Sequence, residues 1–265
     1  MKRQLGINAD CVAGLPDVQA LEKIKAAGFT KFFSEKYDLD TVSALRKKAD
    51  EIGLALEFVH APFKGINAMW QQGMDYLAVY NGMKEAIHTA AVCGVPTVIL
   101  HLSSSWEPPV PCDLGWERFD SLVLYAKERG VNIAFENLRV VGNLACAIDR
   151  YAKMDNVGFC LDFGHQHGYT RNVEWMDLFT DRLIATHIHD NHGRGVEKVG
   201  NPDEHLLPFD GNCDFAKTLH KLDEYGYEGT LMLEVFSSSA PEYQAMTPED
   251  FLATAFERAL RIREM

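Results

Sequence analysis

Several features are missing from this 265-residue sequence, and each absence excludes a class of protein. No CxxC pair occurs among its six cysteines, which favours a reducing cytosol over a disulfide framework. No run approaches the roughly 18 apolar residues of a transmembrane helix, and the first residues do not form a long apolar signal segment. We therefore expect a cytoplasmic protein without a membrane partner.

Positive charge is also scarce. The chain has 26 lysines and arginines against 38 aspartates and glutamates, which gives a formal net charge of −12. Such a surface repels polyanions, so the charge balance argues against a nucleic-acid partner. The longest basic cluster, Arg46-Lys47-Lys48, falls in a helical pattern and is explained as a solvated helix face.

Apolar strands alternate with helical patterns along the whole chain. Such alternation implies parallel pairing through right-handed crossovers, and eight units in a chain of this length predict a single (β/α)8 TIM barrel spanning residues 1–265. A doubly wound open sheet is the alternative, but the first strand–helix turn lacks a GxGxxG phosphate cradle. The predicted strands are Leu5–Ala9, Phe29–Phe33, Leu54–Val59, Thr97–Leu100, Asn132–Phe135, Val157–Leu161, Leu183–Ile188 and Thr230–Leu233.

Acids and histidines stand where these strands end. In the sixth unit, the apolar strand stops at Asp162, and we expect His165 to follow across a turn at Gly164. Because all strand ends of a barrel open on one face, residues far apart in sequence converge there. The set comprises His60, His101, Glu136, Asp162, His165, His187 and Glu234, with Asp203 and His205 in the loop after the seventh strand.

Carboxylates and imidazoles in this number predict a site for a divalent metal ion. A lone strand-end histidine is usually a hydrogen-bonded structural residue, and a buried acid is usually paired with arginine or lysine. The strands supply few basic partners, however, and Glu136, Asp162 and Glu234 would repel one another without a cation. His167, His189 and His192 are less readily placed in the site.

The chain resembles the xylose isomerase-like TIM barrels, which include sugar isomerases and epimerases as well as endonuclease IV. The resemblance covers nearly the whole chain. It rests on Phe135-Glu136-Asn137, Leu161-Asp162-Phe163-Gly164-His165, His187-Ile188-His189-Asp190, Asp203-Glu204-His205-Leu206-Leu207-Pro208-Phe209-Asp210-Gly211 and Leu233-Glu234. Each motif alone is moderately specific, whereas the set in this order and spacing is specific.

The resemblance implies two sets of metal ligands. The ketose 3-epimerases bind one ion through ligands that correspond here to Glu136, Asp162, His187 and Glu234. Endonuclease IV binds three ions, and its further ligands would correspond to His60, His101, His165, Asp203 and His205. We expect zinc, manganese, cobalt or magnesium, with one ion as the leading reading and three as the upper limit.

The leading prediction is therefore a metal-dependent isomerase or epimerase acting on a sugar or sugar phosphate through a metal-stabilised enediolate. Glu136 and Glu234 are the predicted base and acid, and His165 is predicted to contact substrate oxygens. The epimerases have a substrate-binding arginine six residues past the metal-binding histidine, where this chain has Gly193. Arg194, one place further on, is the candidate for that role, together with Trp70 and Trp106 for packing against the sugar ring.

Three alternatives stay open. One is an endonuclease IV-like phosphodiesterase acting on abasic DNA, and another is a multinuclear hydrolase or lyase for small molecules. The third is a non-enzymatic sugar-binding or partner-binding barrel. A homo-oligomer is kept as an alternative to a monomer.

Overall fold

The computed structural model describes residues 3–194 and 202–265. Eight strands in these ranges form one parallel sheet in the order β7-β6-β5-β4-β3-β2-β1-β8. An isolated parallel bridge between Ile188 and Leu233 then joins β7 to β8 and closes the sheet into a barrel. The strands are β1 Leu5–Asn8, β2 Lys31–Ser34, β3 Ala55–His60, β4 Thr97–Leu100, β5 Asn132–Glu136, β6 Val157–Asp162, β7 Leu183–His187 and β8 Leu231–Leu233.

Helices connect the strands on the outside of this barrel. They are α1 Asp17–Ala27, α2 Leu39–Ile52, α3 Leu77–Val92, α4 Asp113–Lys127, α5 Val141–Arg150, α6 Phe163–Thr170, α7 Trp175–Phe179, α8 Phe215–Glu224, α9 Pro241–Gln244 and α10 Pro248–Arg263. Short 3₁₀ segments at Ile66–Trp70 and Thr180–Arg182 complete the described elements. The predicted (β/α)8 barrel is confirmed, and the open doubly wound sheet is excluded.

One local prediction is wrong. Gly164 does not form a turn, because α6 begins at Phe163, directly after β6. Asp162 is the N-cap of this helix, and its Oδ1 accepts a hydrogen bond of 2.6 Å from the backbone N–H of His165. A side-chain cap of this kind satisfies one of the free N–H groups of the first helical turn. Asp162 is thereby held at the end of β6 with one carboxylate oxygen already engaged.

The barrel interior is filled by apolar side chains below the strand ends. This inner cluster is Phe33, Phe58, Ile99, Ala134, Cys160, Ala185 and Met232, one from each strand β2 to β8. Phe33 stacks on the His187 ring with centroids 5.0 Å apart. Packed side chains thus form the floor beneath the polar strand ends, as in other barrels of this type.

Among the described residues, no helix is both long and apolar enough to span a bilayer.

Substitutions of two glycines, Gly115 in α4 and Gly142 in α5, test how the helices pack on the outside of the barrel. Gly115 in α4 lies against the indole of Trp70, and a Cβ there would overlap that ring, whereas Gly142 in α5 faces open space. We expect Gly115→Ala to lower the free energy of unfolding by about 1–3 kcal/mol through overpacking. Gly142→Ala should raise it by up to about 1 kcal/mol, because alanine is the better helix former. Urea unfolding measures both, and similar gains in the two variants would contradict the packing of Trp70 against α4.

Candidate metal centre

Six candidate ligands lie at the carboxyl-terminal ends of successive strands. Each is the last residue of its strand or follows it immediately, and each is at least 93% buried. Parallel strands that close into a barrel bring these ends to one face. The six are His60 (β3), His101 (β4), Glu136 (β5), Asp162 (β6), His187 (β7) and Glu234 (β8).

Four of them form what we call the central group: Glu136, Asp162, His187 and Glu234. One ligand atom from each lies within 4.8 Å of the others. The Nδ1 atom of His187 lies 3.2 Å from a Glu136 oxygen, 3.4 Å from a Glu234 oxygen and 3.9 Å from Asp162 Oδ2. A single imidazole nitrogen therefore faces three carboxylates.

The electrostatics of the central group favour a bound cation. In the described parts of the chain, no lysine or arginine lies within 4.0 Å of these three carboxylates. Burial, with the nearby carboxylates of Glu136, Glu35 and Asp162, raises the pKa of Glu234 well above its usual range. Burial also tends to raise the pKa of Glu136, but the nearby His187 and His101 outweigh burial and hold this pKa well below its usual range.

Hydrogen bonding leaves a carboxylate oxygen of the central group available. Asp162 Oδ2 is buried and accepts no hydrogen bond from the described residues. Such an orphaned buried oxygen is costly unless another partner satisfies it. Three carboxylates and one imidazole suit a divalent first-row ion, so these four residues fit the predicted metal ion.

The first flanking group consists of His60, His101 and Glu136. The Oε2 atom of Glu136 lies 2.8 Å from His101 Nε2 and 3.3 Å from His60 Nε2. On the other side of its ring, His60 Nδ1 lies 2.8 Å from the carbonyl oxygen of Ala61. Burial lowers the pKa of His60, but the Glu35 and Glu136 carboxylates outweigh burial and raise it to about 9. The contact of His60 Nδ1 with the Ala61 carbonyl is of the kind that fixes the ring orientation of a metal-binding histidine.

The second flanking group surrounds Asp203. Three imidazoles lie near its carboxylate, namely His165 at 3.4 Å, His189 at 3.4 Å and His205 at 3.3 Å. His205 has a φ of 50°, in the left-handed region that residues other than glycine rarely adopt. Its Nδ1 lies 3.1 Å from the carbonyl oxygen of Glu234, which ties this loop to the end of β8. A strained backbone held by surrounding contacts is typical of functional sites.

His189 belongs to the second flanking group, although its sequence position did not predict a place in the site. It is fully buried and stacks on His205 with ring centroids 4.1 Å apart. Gly164 makes room for it, because a Cβ at Gly164 would overlap the His189 imidazole. The signal was present in the sequence, since His187 and His189 are two residues apart and extended backbone directs such side chains to one side.

Asn137 fixes the geometry between β5 and β6. Its Oδ1 accepts the backbone N–H of Asp162 at 2.6 Å, and its Nδ2 donates to the Asp162 carbonyl at 3.0 Å. The carbonyl of Asn137 lies 3.1 Å from His165 Nδ1. This asparagine therefore positions two predicted ligands without itself belonging to a ligand group.

The three predicted substrate-binding residues lie in different environments. Trp70 is 4% exposed, packs against Trp116 and Phe119 and donates its indole N–H to the Leu102 carbonyl, so the structure does not bring it to the ligand groups. Trp106 is 42% exposed, and the Arg194 guanidinium lies 4.2 Å from the centroid of its ring. Trp106 and Arg194 thus lie together, and their substrate contacts stay a prediction.

Comparisons with known proteins agree with this architecture. A family model described as xylose isomerase-like TIM barrel matches residues 18–255. The uncharacterized protein y4fM of Sinorhizobium fredii is 30% identical over 197 residues, covering 69% of this chain and 60% of that protein. The inosose isomerase of Bacillus subtilis is 29% identical over 140 residues, covering 49% of this chain and 48% of that enzyme. The chain thus spans less than two thirds of the length of these curated relatives.

Among solved structures, a D-allulose 3-epimerase from Methylomonas sp. superposes with a TM-score of 0.71. The superposition covers 97% of this chain and 96% of that chain at 18% sequence identity. At this level of identity, the superposition shows a shared fold and nothing more.

Substitution of Glu234 shows whether this residue serves to bind a metal ion or to stabilise the metal-free fold. Because burial and neighbouring carboxylates disfavour its charged form, Glu234→Gln should leave the Tm of chelator-treated protein unchanged or raise it. The same variant should bind divalent metal at least about tenfold more weakly, since a direct ligand matters no less than the groups that orient ligands. Calorimetry and metal titration measure both, with the exposed Glu257→Gln as matched control. A large loss of Tm without metal would contradict the repulsion argument.

Proposed function

Because this chain belongs to the xylose isomerase-like TIM barrel family, we propose that it is a divalent-metal-dependent isomerase or epimerase of a sugar or sugar phosphate. The central group carries this proposal, since four buried ligand atoms from four strands lie within 4.8 Å of one another. Relatives named as an inosose isomerase and a D-allulose 3-epimerase favour a small polyhydroxylated substrate.

The central group would hold the ion through Glu136, Asp162, His187 and Glu234. A divalent ion held there would polarise a substrate carbonyl and so acidify the C–H of the neighbouring carbon that carries a hydroxyl group. Buried surroundings exclude water and strengthen such electrostatic effects.

Glu136 and Glu234 are the proposed proton carriers. Glu136 ends β5 and Glu234 follows β8, so the two carboxylates reach the His187 nitrogen from different strands. One carboxylate removes the proton to form an enediolate, and the other returns a proton to complete isomerisation or epimerisation. His165 lies beside Glu136 at 3.1 Å and would donate a hydrogen bond to a substrate oxygen.

Solvent deuterium exchange tests this activity. Metal-loaded protein in D2O should introduce deuterium next to the carbonyl of an accepted ketose or aldose, and chelation should stop it. Glu136→Gln and Glu234→Gln should each slow exchange by at least about 100-fold, the usual scale of general acid–base catalysis. The exposed Glu257→Gln should exchange at the wild-type rate. Phosphodiester cleavage with no deuterium in any sugar tried would overturn the isomerase assignment.

A second candidate, a multinuclear metal hydrolase, is favoured by the two flanking groups. They add His60, His101, His165, His189, Asp203 and His205 beside the central group. Several ions held close together can generate hydroxide and stabilise a pentacoordinate phosphate transition state. The net charge of −12 disfavours a DNA substrate within this class.

Substitutions in the flanking groups distinguish the two candidates. The isomerase reaction needs only the central group, so His101→Asn and His205→Asn should retain deuterium exchange within about tenfold of wild type, less than the 100-fold expected from loss of an acid or base. A hydrolase should lose cleavage of a small phosphodiester or of abasic DNA in the same variants. Elemental analysis would then find about three ions per wild-type chain, the count that these ligand groups could hold. The exposed His220→Asn is the control.

A further inference from the structure

Two arginines and two aromatic residues form a rim beside the candidate metal centre. We call Trp106, Arg139, Tyr169 and Arg194 the arginine rim. Both guanidinium groups lie near the Trp106 ring, with Arg194 4.2 Å and Arg139 5.3 Å from its centroid. Arg139 also lies 3.9 Å from the Tyr169 ring centroid, and Trp106 meets Tyr169 edge to face at 5.3 Å. The four side chains therefore form one contiguous surface, to which three different loops and the helix α6 each contribute one residue.

The rim is joined directly to the candidate centre. Tyr169 stacks on His165 with ring centroids 4.8 Å apart and planes inclined by 21°. His165 in turn lies 3.1 Å from Glu136 of the central group. Two ring-to-ring contacts, with centroid distances of 4.8 Å and 5.3 Å, thus connect His165 to Trp106.

Both rim cations lack a carboxylate partner. In residues 3–194 and 202–265, no acid lies within 4.0 Å of either guanidinium, although acids outnumber bases in this chain. Other arginines are paired, for example Arg150 with Asp120 and Arg258 with Asp210. The Nε of Arg139 is buried and donates to no described residue. A buried donor without an acceptor costs free energy that an incoming anion would recover.

We propose that the arginine rim binds an anionic group of the substrate, a phosphate monoester or a carboxylate, while the sugar carbons extend toward the central group. Guanidinium groups bind both oxyanions through charge-assisted hydrogen bonds. The exposed part of the Trp106 indole supplies apolar surface for the sugar carbons. This inference rests on the proposed isomerase or epimerase activity and narrows its substrate class to acidic sugars.

A structural role for Arg139 is the competing explanation. Its guanidinium donates to the Tyr169 hydroxyl at 2.5 Å. Burial raises the pKa of that hydroxyl, and the Asp203 carboxylate of the second flanking group raises it further, so Tyr169 interacts electrostatically with Asp203. Arg139 could therefore position Asp203 through Tyr169 without touching substrate. Tyr169→Phe breaks this connection but keeps the aromatic ring and both arginines, so it separates the two roles.

Matched sugars test the proposal with metal-loaded protein. D-ribose, D-ribonate and D-ribose 5-phosphate share a carbon skeleton, and ligand-observed NMR gives the Kd of each. We expect at least one of the two anions to bind about tenfold or more tightly than D-ribose, the effect of one hydrogen bond to a charged group. Stronger binding of the phosphate identifies a phosphate site, and stronger binding of ribonate identifies a carboxylate site.

Variants assign this preference to the rim. Arg139→Gln and Arg194→Gln should each remove most of the anion preference, whereas Tyr169→Phe should keep it. Arg129→Gln is the matched control, because Arg129 also stacks on a tyrosine, Tyr125, but follows α4 at the opposite end of the barrel. Any direct contact of the anion with bound metal is common to all variants and cancels in the comparison.

Three results would overturn the proposal. They are equal Kd values for all three sugars in wild type, an anion preference that survives Arg139→Gln, and a loss in Tyr169→Phe equal to that in Arg139→Gln. The binding measurement needs no turnover. An anion preference without deuterium exchange would therefore contradict the proposed isomerase activity and leave the rim assignment standing.

Discussion

Mutual repulsion among three buried carboxylates is the constraint on which the candidate centre depends. Glu136, Asp162 and Glu234 are 2%, 0% and 6% exposed and face the same nitrogen of His187. Each ends or directly follows a strand, so the backbone ladder of the barrel prevents the carboxylates from moving apart. Burying unpaired charges costs several kcal/mol. Neighbouring imidazoles outweigh this cost at Glu136 but not at Glu234, whose pKa stays well above its usual range. Ion binding at this position would consequently stabilise the folded chain as well as serve chemistry.

Sequence patterns predicted the strands well because buried parallel strands are short apolar runs, and the polar residue that ends each run lies at the barrel mouth. They failed where distant contacts decide the structure. Trp70 was predicted to contact substrate, yet its neighbours in α4 are more than 40 residues away and hold it in the core. Arg139 was not predicted as a site residue, because its partner Tyr169 is 30 residues further along the chain. The helix that begins at Phe163 was missed because Gly164 is more typical of turns.

Glu136 links the central group to the first flanking group. Its Oε1 lies near His187 and its Oε2 near His60 and His101, so the two oxygens face different ligand sets. A carboxylate that bridges two ions has no free oxygen with which to remove a proton from carbon. Occupation of the first flanking group would therefore suppress the role of Glu136 as a base and favour activation of water. The reaction class thus depends on which ligand groups are filled, even though the protein scaffold is the same.

Charge distribution adds a condition on how an acidic substrate would reach this site. The net charge of −12 repels anions at long range, but surface charges are screened beyond about 8–10 Å at ordinary salt concentrations. Arg194 is exposed at the rim, and Arg139 is partly buried beside it. Attraction by the two guanidinium groups therefore acts only near the mouth, where the focusing effect of a cleft is largest. Higher salt would weaken the remaining long-range repulsion more than the partly buried contact with Arg139. An anionic substrate should consequently associate faster with moderate salt, the opposite of the behaviour expected for a nucleic-acid-binding enzyme.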